Sequence, residues 1–348
     1  MQTVIKKVDE NCIEIEVLKE AGALLKQGAL VAFPTETVYG LGANALDEKA
    51  AAKIYEAKGR PSDNPLIIHI ADMESLELIT EEIPENAVKL ANVFWPGPLT
   101  MVMKKSEAVP KGTTGGLSTV AVRMPSHPVA LELIRQGGGY IAAPSANTSG
   151  RPSPTLAEHV AEDLDGIIPM IIDGGAVGIG IESTIVDLTE EIPMILRPGF
   201  ITKEMLEQVL GQVEIDKGLL KDAKTPPKAP GMKYRHYAPK AELVIVEGDT
   251  EAVIAKINAL AAEQEEQGIK TGIIGTEETV SRYKKGEVKS IGTRNDLLSV
   301  SSHLYGILRE FDAGDAKIIY SESFREGALG SAIMNRLLKA AGHKVIKL

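Results

Sequence analysis

Lys58, Gly59 and Arg60 hold two cations one residue apart, on a stretch that Gly59, Pro61 and Pro65 bend into a loop. Such a loop suits an anion, with a solvated basic turn as the plain alternative. A second cluster, from Pro144 to Ser153, packs Ser145, Asn147, Thr148, Ser149, Arg151 and Ser153 behind the apolar run Tyr140–Ala143. Short hydroxyl and amide side chains bind phosphate and ribose oxygens without adding charge. Two further arginines close apolar runs: Arg123 ends Thr119–Val122, and Arg197 precedes the Pro198–Gly199 turn. Gly178 and Gly180 lack a third glycine and a following helix, so no dinucleotide fingerprint is supported.

These groups need elements to aim them. Glu48–Ala57 reads as a helix and Leu66–Ile70 as a strand, so the 58–65 loop opens onto a strand, where α/β proteins collect ligands. Residues 31–33 and 119–123 read as further strands. From Lys217 to Lys240, seven cations, one acid and four prolines read as a linker. Beyond it, strands at 243–246, 271–275 and 317–320 alternate with helices at 251–267, 296–311 and 327–341, the pattern of a small parallel-sheet domain. Three segments follow: 1–215, a linker at 216–240, and 241–348.

Composition narrows the classes. A chain of 348 residues that is 44% hydrophobic can build about two domains. Cys12 is the one cysteine, which removes intramolecular disulfides, cysteine cages and dithiol redox pairs. With no spanning-length apolar run and no signal-like start, the cytoplasm is the expected address and no membrane is expected as a partner. Residues 1–215 carry 17 Lys and Arg against 30 Asp and Glu, whereas the remainder is net +3. An acidic first half disfavours a nucleic-acid-binding module, whose affinity rests on neutralised phosphates. Its local cations better fit a small anionic ligand.

The words PTETVYGLG (34–42), KGRPSDNPL (58–66), SAN-SG-PS (145–153), ESTIVD (182–187) and RPG (197–199), in that order, resemble the YrdC/Sua5 family of threonylcarbamoyl-AMP synthases. Pro230–Pro239 (PGMKYRHYAP) resembles the interdomain linker of its longer, two-domain type. The resemblance implies an α/β chain: a twisted mixed-sheet YrdC-like domain with an open cleft, then a smaller Rossmann-like domain. It implies a nucleotidyltransferase that makes threonylcarbamoyl-AMP and pyrophosphate from ATP, L-threonine and bicarbonate or CO2. The product would serve N6-threonylcarbamoyladenosine formation in tRNA, through downstream proteins. A carbamoyl-transfer domain of the hydrogenase-maturation kind shares the fold, but no cysteine-rich segment accompanies it here.

On that resemblance, Lys58 and Arg60 clamp the phosphates, with Arg197 joining them. Asn64, Thr119, Ser145 and Ser153 match nucleotide-contacting positions, and Asn147 shares the Ser145 loop. Thr37, His69, the Ala143 backbone and Ser183 match threonine-contacting positions, and Arg123 suits the amino-acid carboxylate. Taken alone, His69 on an apolar strand reads more readily as a core histidine. No carboxylate cluster announces a metal cage, so Mg2+ is expected with ATP, held by its oxygens and water. Tyr237, from a linker that folds over the cleft in the family, is expected to touch the nucleotide as part of a lid. No side chain stands out as a general base.

Overall fold

The structure is a computed structural model and describes residues 2–216, 236–324, 327 and 329–348. Its strands are β1 (Val4–Lys7), β2 (Val31–Phe33), β3 (Gly40–Asn44), β4 (Ile67–His69), β5 (Leu99–Lys104), β6 (Thr119–Arg123), β7 (Ile141–Ala142), β8 (Met170–Asp173), β9 (Thr184–Asp187), β10 (Met194–Arg197), β11 (Glu214–Ile215), β12 (Glu242–Glu247), β13 (Thr271–Gly275), β14 (Glu287–Ser290), β15 (Ile318–Glu322) and β16 (Val345–Lys347). The helices are α1 (Ile15–Lys26), α2 (Glu48–Lys58), α3 (Leu76–Ile79), α4 (Glu85–Phe94), α5 (Pro128–Gln136), α6 (Ala157–Leu164), α7 (Lys203–Leu210), α8 (Thr250–Glu266), α9 (Leu297–Ala313) and α10 (Gly330–Ala340). Two compact units result. The first comprises 1–149, 154–178 and 182–234, and the second comprises 150–153, 179–181 and 235–348.

In the first unit, eleven strands form one mixed sheet in the order β1-β8-β2-β3-β7-β4-β6-β5-β9-β10-β11. The period-2 alternation of its strands divides the core between two faces. Val31, Phe33, Ile141, Met170 and Ile172 pack with Leu18, Ala21 and Leu25 of α1 and with Val129 and Leu133 of α5. Ala32, Leu41, Ala43, Ala142 and Ile171 face the other way, toward Ala50, Ala51 and Ile54 of α2. Gly22 lets α1 lie against α5, since a Cβ there would sit 2.5 Å from the Gln136 carbonyl oxygen. Local chemistry sets the helix ends: Asp47 caps α2 by accepting from the Lys49 amide at 2.9 Å, and Gly59 ends it in the left-handed region at φ 60°.

The second unit holds a parallel five-stranded sheet, β14-β13-β15-β12-β16. Asp249 and Asp296 cap α8 and α9 through their carboxylates. Strands and helices fall where the alternation predicts them, with two additions. β14, reading EVKS, has no apolar alternation and borders the sheet, and β16 is three residues at the chain's end. The linker expected at 216–240 is described only at residue 216 and from His236 onward. Among the described residues, no helix is long and apolar enough to cross a membrane.

Candidate active site

β4, β6, β5 and β9 are neighbours in the first unit's sheet, and their alternate residues divide in two. Ile68, Val120, Val122, Met101, Met103 and Val186 enter the main core. Ile67, Ala121, Val102 and Ile185 point to the opposite face, where with Leu196 they make a small apolar patch. His69, Thr119, Arg123 and Thr100 share the parity of that patch, so they line the same face. Register then aligns them: His69 pairs with Arg123, and Arg123 pairs with Thr100. Thr119 lies four residues back along β6, about 13 Å from Arg123 at strand rise.

The Arg123 end is buried and densely bonded. Arg123 is 4% exposed and donates from Nη1 to Thr37 Oγ1 at 2.9 Å, and more weakly from Nε to the Gly97 carbonyl at 3.4 Å. Thr37 Oγ1 lies 2.9 Å from Thr35 Oγ1, whose hydroxyl also bonds the Val38 carbonyl, so the 34–38 turn is held from within. Glu36 on that turn pairs with Arg123, Oε1 to Nη2 at 2.8 Å. The alignment is poor: Nη2 and both Glu36 oxygens are buried without a hydrogen-bond partner. Burial pushes the Glu36 carboxyl up, but the charge of Arg123 beside it outweighs this and holds it below the usual range.

His69 is buried, with Nδ1 3.2 Å from the Ile67 carbonyl and its ring edge-on to Phe33. Burial, then the Arg123 charge, push it down to about 3, so it is a neutral imidazole at physiological pH. Ser183 joins from the segment before β9: its Oγ lies 2.7 Å from Thr100 Oγ1 and accepts from Arg197 Nη2 at 3.2 Å. Arg197 Nε bonds the Ser183 carbonyl at 3.0 Å, so this arginine is tied to the Ser183–Thr100 side of the face. The Ala143 amide bonds the Ile67 carbonyl, placing Ala143 beside β4.

The 58–65 region forms a second group. Lys58 differs from the expected loop cation, because it is the last residue of α2 and only 2% exposed. Its ammonium donates to the Ser145 carbonyl at 2.5 Å and to the Asn147 carbonyl. Ser145 Oγ bonds Asn147 Oδ1 at 2.5 Å, so Lys58, Ser145 and Asn147 form one knot. Arg60 folds back, Nε to the Asn64 carbonyl at 3.2 Å and Nη2 to the Pro65 carbonyl at 3.0 Å. Asn64 is 1% exposed, and its buried Oδ1 has no hydrogen-bond partner, an arrangement that costs free energy until a donor arrives.

Ser153 and Tyr237 belong to the second unit. The Ala238 amide bonds the Gly150 carbonyl at 2.9 Å, and Tyr237 stacks on Tyr305 with centroids 5.2 Å apart. Tyr234 and the rest of 217–235 lie outside the described residues. Sequence reasoning missed Glu36 and Thr100. Glu36 sits inside the PTETVYGLG word, but nothing in the sequence near it points to Arg123.

A profile of the Sua5/YciO/YrdC family, described as "Telomere recombination", matches residues 23–199. The chain belongs to that family. The profile "Threonylcarbamoyl-AMP synthase, C-terminal domain" matches residues 201–342. Threonylcarbamoyl-AMP synthase of Bacillus subtilis is 54% identical over 340 residues, covering 97% of each chain. The synthase of Pyrococcus abyssi is 52% identical over 345 residues, 99% of each. The solved P. abyssi Sua5 complexed with L-threonine superposes with TM-score 0.95 at 51% identity, covering 99% of this chain and all of that one.

Proposed function

We propose that this chain is an L-threonylcarbamoyl-AMP synthase that joins threonine, bicarbonate or CO2, and ATP, releasing pyrophosphate. The observation that carries the reading is the buried Arg123, held by Thr37 and Glu36, with an Nη2 that has no hydrogen-bond partner. A planar guanidinium in that state suits an amino-acid carboxylate. Thr37, His69, Ala143 and Ser183 complete the threonine set. His69, uncharged, contributes shape and a ring nitrogen without competing for the carboxylate.

Arg60, Asn64, Thr119, Ser145, Asn147 and Arg197 form the first unit's nucleotide set, with Lys58 and Arg60 neutralising charge that develops on the phosphates, and Ser153 and Tyr237 are the second unit's candidates for the same ligand. Lys58 also shapes the loop it serves, through the Ser145 and Asn147 carbonyls. In the reaction, a carbamate oxygen of N-carboxythreonine bonds to the α-phosphorus, the bond to the bridging oxygen breaks, and pyrophosphate leaves. The proton lost on forming the carbamate goes to water. Positioning two anions and balancing their charge is the main catalytic task.

Among the described residues, no cluster of His, Cys, Asp and Glu is suited to hold a metal ion. Mg2+ would enter with ATP, on the triphosphate oxygens, as is usual for triphosphate substrates. The adenylate then passes to proteins that modify tRNA, in the cytoplasm. Mixing the full chain with ATP, L-threonine and bicarbonate tests the reading: threonylcarbamoyl-AMP and pyrophosphate should form in equal amounts. ATP turnover that does not depend on threonine would refute it.

A further inference from the structure

Glu36 poses a question that the carboxylate grip does not answer. Among the described residues it is the charged group that contacts Arg123, 2.8 Å away, so the pair is close to neutral before any substrate arrives. A site selected only to hold carboxylates would leave the arginine's charge bare. Here two segments hold the guanidinium at the end of β6: the 34–38 turn through Thr37 and Glu36, and the Gly97 carbonyl. Nη2 stays without a hydrogen bond although Glu36 lies beside it. The arginine thus offers a donor while its charge is already met.

We propose that Glu36 is a specificity-determining residue that reserves Arg123 for a zwitterion. An incoming carboxylate can take the Nη2 donor, but it also meets the Glu36 carboxylate, and like charges brought together are unfavourable. An amino acid carries its own ammonium to offset that repulsion. A plain hydroxy acid, or a stray phosphate in a cleft that must hold a triphosphate, carries no such offset. Repulsion of the wrong ligand is half of specificity. This inference rests on reading Arg123 as the carboxylate grip.

The test uses the full chain and two ligands of one carbon skeleton, L-threonine and 2,3-dihydroxybutanoate, in which a hydroxyl replaces the ammonium. Wild type should bind threonine at least 100-fold more tightly by calorimetry. Glu36→Gln keeps the shape and removes the charge, so the ratio should fall at least tenfold, through tighter binding of the hydroxy acid. Glu36→Asp should hold the ratio within threefold of wild type. An unchanged ratio in a folded Glu36→Gln variant overturns the inference, as does wild-type protein that binds both ligands equally, a result that needs no variant to fold. Arg123→Leu separates the layers. If it loses threonine while Glu36→Gln keeps the wild-type ratio, only the role of Glu36 falls; if it still binds threonine, the grip falls as well.

Discussion

Each unit sets an arginine–carboxylate pair at the end of a strand, with both side chains largely covered in the first and a partly exposed arginine on a buried carboxylate in the second, and the two pairs are finished differently. In the second unit, Glu322 ends β15 at 1% exposed and accepts from Tyr283 at 2.6 Å, from Thr279, and from Arg294. Arg294 spends its other Nη on the Ser323 carbonyl, and its Nε alone lacks an acceptor. Both carboxylate oxygens are met. In the first unit, Glu36 has neither oxygen in hydrogen-bond geometry, and Arg123 Nη2 is in the same condition. Natural structures rarely leave buried polar groups unmatched, so the completed pair reads as scaffold and the incomplete one as a place kept for a ligand.

The contrast breaks most readily at Glu322. Replacing it with Ala strands Arg294 and removes the acceptor of Tyr283 and Thr279, and should cost about 3 to 4 kcal/mol of stability. The loss should appear in far-ultraviolet circular dichroism of urea unfolding. Emission of Trp95, the sole tryptophan, reports the first unit, and the threonine dissociation constant should stay within threefold. A large loss of threonine affinity would erase the distinction between the pairs. Arg123→Leu should do the reverse, weakening threonine at least 100-fold, about 2.7 kcal/mol, with ATP affinity within threefold. ATP loss with threonine retained would move Arg123 to the nucleotide set.

A smaller effect sharpens the same point. Tyr283→Phe removes one of three donors to Glu322 and should cost about 1 kcal/mol, with no effect on turnover. The last expectation is the absence of an effect at one pH and a slope at another. His69 is lowered to about 3 in the fold and titrates near 6.5 when unfolded, so the unfolded chain takes up its proton first. Stability from this group is present above about 6.5 and declines by about 1.4 kcal/mol per pH unit down to about 3. Threonine affinity, by contrast, should be flat from about pH 5.5 to 8. His69→Gln should flatten the stability slope, and an inflection in threonine affinity near pH 6.5 would mean that His69 is charged in the site.

Much of this was legible in the sequence, and what was not had physical causes. The words around Lys58, Ser145, Ser183 and Arg197 announced polar loops on an α/β frame because glycine, proline and hydroxyl residues interrupt apolar runs. That Lys58 is buried was hidden: burial follows from Gly59 ending α2 late enough to carry the ammonium under the 144–149 loop. Glu36 was silent because its partner is 87 positions away, on a strand that is not a sheet neighbour of β2, so only the assembled fold brings Arg123 to that turn. β14 escaped notice because an edge strand reading EVKS needs no apolar face.

Residues 150–153 and 179–181 carry a consequence for synthesis. They are made early, yet they count with the second unit: the Arg309 guanidinium holds the Pro152 carbonyl at 2.7 Å, and the Ser301 hydroxyl holds that of Ile179 at 2.8 Å. Both donors lie on α9. On the ribosome, those two loops must therefore wait for their partners until translation has passed Arg309. A chain cut after Gly211 would carry the loops for good without the side chains that receive them.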